Sequence, residues 1–170
     1  MSGNSKKLLV GVITCVSLFV LGCGEDSFID EAALLNCETA QSQPLKLGTG
    51  NQRFEPLTQD PELLFTPGFQ GGWHVWGAIQ IGKIDPIRTV LDFELIQDDQ
   101  KIGGLVLPVT LQCGAMGYEY FGIPVELHFH RQPDTVADRE MLMRLTLTER
   151  DGTQHTDSIT FMPRCCNSFE

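Results

Sequence analysis

From Pro44 onward the apolar residues recur at every second position, and the runs are separated by glycine, proline and aspartate. Period-two alternation puts successive side chains on opposite faces of an extended chain, so each run predicts a strand with one buried face. In Trp73–Ile81, Trp73, Val75, Gly77, Ile79 and Ile81 share one face, while His74, Trp76, Ala78 and Gln80 share the other. In Thr89–Gln97, Leu91, Phe93 and Leu95 oppose Val90, Asp92, Glu94 and Ile96. Further strands are predicted over 104–112, 120–130, 140–149 and 155–162. The last two are joined by Arg150-Asp151-Gly152-Thr153, whose Asp-Gly centre suits the positive backbone dihedrals of a tight hairpin turn. No long 3.6-residue periodicity follows Pro44. About seven short antiparallel strands with regular turns predict an all-β chain, a single immunoglobulin-like β-sandwich, with the strand order left open.

The pattern before Pro44 is different. Lys6 and Lys7 precede an uncharged run from Leu8 to Leu21, roughly fourteen residues, which falls within the range of a signal-peptide core and is too short to span a bilayer. The run stops at Gly22-Cys23-Gly24, and acids follow it. From Gly24 to Gln43 the chain is acidic and rich in Ser and Gln around a short Ala-Leu-Leu patch, reading as a tether with room for one helical turn. The expected organisation is therefore a signal peptide over 1–22, a tether over 23–43 and a sandwich over 44–166.

Val20-Leu21-Gly22-Cys23 resembles the lipobox of bacterial lipoproteins, in which a small residue precedes an invariant cysteine. Leu21 is bulky for its place. The resemblance implies that Cys23 carries a diacylglyceryl group on sulfur, that cleavage occurs before it, and that its new amino group is acylated. Each buried methylene adds roughly 0.8 kcal/mol of membrane affinity, so two or three chains on one residue make a durable anchor. Gly24, in place of an aspartate, implies release to the outer membrane of a bacterial cell envelope. An ordinary signal peptide cut elsewhere is the alternative.

Composition narrows the partners. The formal charge is −10, and loss of the leader, which holds Lys6 and Lys7 and no acid, leaves −12. Such a surface repels phosphate backbones, so nucleic acid is not an expected partner.

Of six cysteines, Cys15 falls in the leader and Cys23 at the anchor, leaving Cys37, Cys113, Cys165 and Cys166. An even number in an exported chain points to disulfides. Adjacent Cys165 and Cys166 would close a strained small ring, so each is expected to pair with Cys37 or Cys113. A thiolate metal or redox site is the alternative, but no CxxC spacing is present.

Two segments carry candidate chemistry. Gly122, five residues and then His128-Phe129-His130 resemble the opening of the cupin metal motif. Asp134 stands where that motif has glutamate, and no glycine closes it. Alternation places Val125, Leu127 and Phe129 toward the core, with Glu126, His128 and His130 on the wet face. Two imidazoles at i and i+2 can chelate copper or zinc, with His74 as a third candidate ligand. The second segment, Pro67-Gly68 to Trp76, lacks the lysine of a phosphate-binding loop, and its glycines read as a turn feeding a strand. Trp76 beside His74 suits a sugar-stacking platform or an anchor for an envelope protein, since indole offers an apolar face and a donor. The stretches from Leu47 to Leu57 and from Pro67 to Pro86 are similar to segments of lipoproteins in predatory and myxobacterial-type bacteria, a likeness that implies no activity.

There is no GxSxG elbow and no HExxH, and no cysteine, histidine and acid stand in a known catalytic spacing. The sequence thus predicts a non-enzymatic, lipid-anchored module that binds a ligand or partner. A copper- or zinc-binding lipoprotein is the second reading and a hydrolase the third.

Overall fold

The computed structural model describes residues 36–59, 61–68 and 71–165. The leader, Cys23 and Cys166 lie outside them. The described chain is all-β apart from one short 3-10 turn at Pro133–Thr135. Its strands are β1 (Lys46–Thr49), β2 (Glu55–Pro56), β3 (Glu62–Leu64), β4 (Thr66–Pro67), β5 (Trp73–Ile81), β6 (Thr89–Gln97), β7 (Gln100–Val109), β8 (Gln112–Cys113), β9 (Tyr118–Leu127), β10 (Met141–Thr148) and β11 (Gln154–Arg164).

All are hydrogen-bonded into one sheet in the order β2-β1-β5-β9-β7-β6-β10-β11-β3, with β4 added to β5 and β8 to β9. Every pairing is antiparallel except that of β3 with the end of β11. The sheet folds over at β7. This strand pairs with β6 from Thr89↔Val109 to Gln97↔Gln100, but with β9 only at Gly103↔Leu127 and Gly104↔Glu126. Strands β1, β5 and β9 thus form one layer and β7, β6, β10 and β11 the other, with the two glycines at the corner.

On the far side the layers meet again, where the Leu47 amide donates to Asp157 Oδ2 at 2.7 Å. That amide points away from β5, and Asp157 satisfies it at a sheet edge that would otherwise be open to pairing. Taking the principal strands in chain order, the first, second and fifth make one layer, and the fourth, third, sixth and seventh the other. This is an immunoglobulin-like sandwich whose fourth strand stays with the third; the constant-type arrangement sets it beside the fifth.

The core lies between the layers. One side supplies Val75, Ile79, Ile81, Ile123 and Val125, and the other Leu91, Phe93, Leu95, Met143, Leu145, Leu147 and Phe161, all essentially inaccessible. Burial of each large apolar side chain contributes about 1.5–3 kcal/mol, which makes this interface the main source of stability. The predicted alternation over Trp73–Ile81 and Thr89–Gln97 appears as strands with those limits. His74, Ala78 and Gln80 on the other face of β5 are buried too, on a strand flanked by β1 and β4 along one edge and by β9 along the other.

Three expectations are corrected in this frame. Cys37 is bonded to Cys113, with Cα atoms 5.4 Å apart, and not to Cys165 or Cys166. Cys165 is itself in a disulfide. The segment Asn36 to Gln43 lies against the sandwich rather than clear of it: Cys37 belongs to the core, Ala40 packs on it, and Thr39 Oγ1 donates to the Gly114 carbonyl at 2.6 Å. Strand β9 ends at Leu127, short of His130, so the expected alternation does not reach Phe129, which is 86% exposed.

A cleft on the outer face of strands β5 and β9

Strands β5 and β9 run side by side with Cα partners His74↔Glu126, Val75↔Val125 and Trp76↔Pro124. Val75 and Val125 face the core. The flanking pairs therefore share the outer face, which brings an imidazole, an indole and a carboxylate together across one strand gap. Upstream, β4 pairs with β5 at Thr66↔His74 and Pro67↔Trp73. The chain reverses between Gly68 and Gly72, where the Gly68 amide donates to the Gly72 carbonyl at 2.7 Å and the Gly71 amide to the Gly68 carbonyl at 3.1 Å. Gly71 has a φ of 89°, a conformation that glycine adopts without steric cost. The glycine-rich segment is thus the expected turn feeding a strand, and it folds back beside His74.

Past Leu127 the pairing of β9 with both neighbours stops. The His128 amide donates to the Ile102 carbonyl at 2.9 Å and the Arg131 amide to the His128 carbonyl at 2.7 Å, turning the chain so that Phe129 projects from the surface. The result is a cleft of about 470 Å³ walled by His74, Trp76, Glu126 and Phe129, with Pro124 and the two ends of the glycine turn at its margin.

His74 is 6% exposed and its Nε2 is buried with no hydrogen-bond partner. Its ring meets Trp76 edge-on, with centroids 4.5 Å apart and planes at 80°. A buried polar nitrogen left unpaired costs about 1–3 kcal/mol, so a molecule that brings a donor to it gains a hydrogen bond that the protein's own groups do not make. Burial pulls the imidazole below its ordinary value of 6.5, and the Glu126 carboxylate opposes that pull. The folded state accordingly favours the neutral form of His74.

A pH dependence follows from this. The unfolded chain takes up the His74 proton at a higher pH than the folded chain does, so this contribution to stability is complete above about pH 6.5. It is lost as the pH falls through the lowered folded value. Urea unfolding of the His74→Gln variant should therefore show a flatter fall in midpoint between pH 7.5 and 5 than the parent chain. Equal slopes would show that His74 titrates alike in both states.

The other candidate residues are placed differently. His128 and His130 sit in the turn after β9, both exposed, with ring centroids 5.8 Å apart. Among the described residues no group of three or more His, Cys, Asp or Glu side chains is placed to hold a metal ion, so His74 is not assembled with them into a ligand set. Glu126 and Phe129 join the cleft without having been singled out by the sequence. His155, also not singled out, pairs with Glu149 at 2.6 Å, while Glu149 Oε2 accepts the Asp85 amide at 2.8 Å, tying the β10–β11 hairpin to the loop after β5.

No protein-family model and no curated protein matches the chain. Among solved structures it is similar to murine CRIg, at a TM-score of 0.36 and 8% sequence identity, over 74% of this chain and 100% of that one.

Proposed function

We propose that the chain is a lipid-anchored protein of the bacterial envelope, held at the outer membrane through acylated Cys23, that presents its sandwich as a non-catalytic binding module. The ligand is taken in the cleft between β5 and β9. The observation that carries this reading is the unpaired, buried Nε2 of His74 in the wall of a cleft that also presents Trp76 and Phe129. Polar groups left unsatisfied in a folded protein call for a reason, and completion by a ligand is one. Aromatic walls with a few convergent polar groups are the usual composition of binding sites. The acidic, Ser- and Gln-rich start of the mature chain suits a spacer that holds the module off the membrane.

One experiment with two readouts tests this. Cells labelled with a palmitate analogue should yield a labelled native chain and an unlabelled Cys23→Ser chain. In parallel, pull-downs of peptidoglycan and of envelope proteins with purified native chain should recover material that Trp76→Ala reduces at least tenfold. Label retained on the Cys23→Ser chain removes the anchor, and interactions unchanged by Trp76→Ala remove the cleft.

A further inference from the structure

Resting on that reading of the cleft, we infer that its ligand is an alkylammonium group, the primary amine of a lysine-like side chain or a small diamine, seated between Glu126 and His74 against the Trp76 and Phe129 rings. The cleft's polar side chains narrow the choice. Among the described residues that line it, Glu126 is the sole charged group and His74 the other titratable one; no lysine or arginine is present. An anion would meet a carboxylate with no counter-charge, on a mature chain carrying −12 after loss of Lys6 and Lys7. A neutral saccharide is normally held by several hydroxyl, amide or carboxylate side chains around its hydroxyls, and here the polar groups are the Glu126 carboxylate, the His74 ring and the Trp76 indole N–H, with no amide or hydroxyl side chain.

An ammonium group matches what is offered. It has three N–H donors and no acceptor. One donates to the Glu126 carboxylate, and a second to His74 Nε2, which accepts when the ring proton is on Nδ1. The positive charge and its methylene stem lie against aromatic faces, where a cation gains attraction from the ring quadrupole. The pairing His74↔Glu126 across β5 and β9 puts the two acceptors on one face, and the unpaired Nε2 is the acceptor the amine would complete. Protonation of His74 would remove that acceptor and place a like charge beside the amine. Binding should therefore weaken as the pH falls through the folded value of His74, which burial places below the ordinary 6.5. It should also weaken as salt rises.

The test is isothermal titration of the full chain at pH 7.5 with cadaverine, with Nα-acetyl-lysine amide, with its Nε-acetylated counterpart and with N-acetylglucosamine, alongside ¹H–¹⁵N spectra that follow the Trp76 indole and His74 ring signals. Both amines are expected to bind and to shift those signals. Acetylation of the Nε amine should abolish binding, and Glu126→Gln, an exposed residue, should reduce affinity about tenfold or more with thermal stability unchanged. Tighter binding of the lysine amide than of cadaverine would identify a partner protein as the source, and the reverse a free diamine; either supports the inference. Equal binding of the Nε-acetylated compound, or full affinity in Glu126→Gln, overturns it. Binding of N-acetylglucosamine alone, with a shifted Trp76 signal, overturns the amine while leaving the cleft as the binding site. No binding by either amine overturns it as well.

Discussion

Alanine at Gly103 or at Gly104 is expected to destabilise the protein by about 3 kcal/mol or more, which is large for the addition of one methyl group. These two residues make the only pairs between β7 and β9, and so carry the hydrogen-bonded corner at which one layer passes into the other. A Cβ on Gly103 would lie 2.3 Å from the Glu126 carbonyl oxygen and 3.0 Å from the Leu127 Cα. On Gly104 it would lie 2.3 Å from the Phe93 carbonyl oxygen, at a φ of 151° that side-chain-bearing residues seldom adopt. The obstructing atoms are backbone in both cases, so relief requires a strand to move, and a flexible side chain cannot yield in its place. Moving β9 would disturb Val125 and Leu127 in the core as well as Glu126 in the cleft. Urea denaturation should show a lower midpoint with an unchanged slope, because the same surface is exposed on unfolding. A midpoint within experimental error of the parent for both variants would show that the corner does not depend on the close approach.

The same corner marks where sequence reasoning reaches its limit. The alternation in Trp73–Ile81 and Thr89–Gln97 sets both strands and their inward faces, because a strand with one buried face writes its period into the residue types. The start of β7 was not legible. Expected at residue 104, it begins at Gln100, because Asp98 and Asp99 both adopt positive φ, 48° and 60°, and close a two-residue hairpin without the usual glycine. The turn at 150–153 behaves differently from its expectation in detail: Gly152 has a φ of 91°, whereas Asp151 contributes its carboxylate, which accepts the Thr153 amide at 2.8 Å.

The cleft was half legible. His74 and Trp76 could be placed on one face of a strand, and Glu126 on the exposed face of another, from alternation alone. That β5 and β9 are neighbours is a long-range pairing that local pattern does not encode, and only this pairing brings Glu126 to His74. Alternation carried past Leu127 places Phe129 in the core, but a side chain stays in register only while its strand remains paired. Pairing with β5 begins at His74↔Glu126 and pairing with β7 finishes at Gly103↔Leu127, so no ladder remains to hold Phe129 in register.

The cysteines show the same gap between local and long-range information, and they carry the second large effect. Reducing the Cys37–Cys113 bond, or replacing both residues by serine, is expected to cost about 2–4 kcal/mol and to lower the melting temperature by roughly 10 °C. The bond joins positions 76 residues apart, so it removes a long loop's worth of freedom from the unfolded chain. Its two ends differ in the folded state. Cys37 is 9% exposed and belongs to the core, whereas Cys113 lies on the exposed two-residue strand β8. Removal should therefore loosen the entry segment first. Asn36 to Gln43 would keep the Thr39 bond to Gly114 and the Gln43 bond to Met116, both at exposed positions and each adding only a modest increment. Amide exchange in the Cys37→Ser/Cys113→Ser chain should accelerate at the Gly82 amide, which donates to the Gln43 carbonyl, well before it does at Ile79 or Leu145 in the core strands. Uniform acceleration across the sandwich, with the same loss of stability, would show instead that the bridge acts on the whole domain at once and not through the docking of this segment.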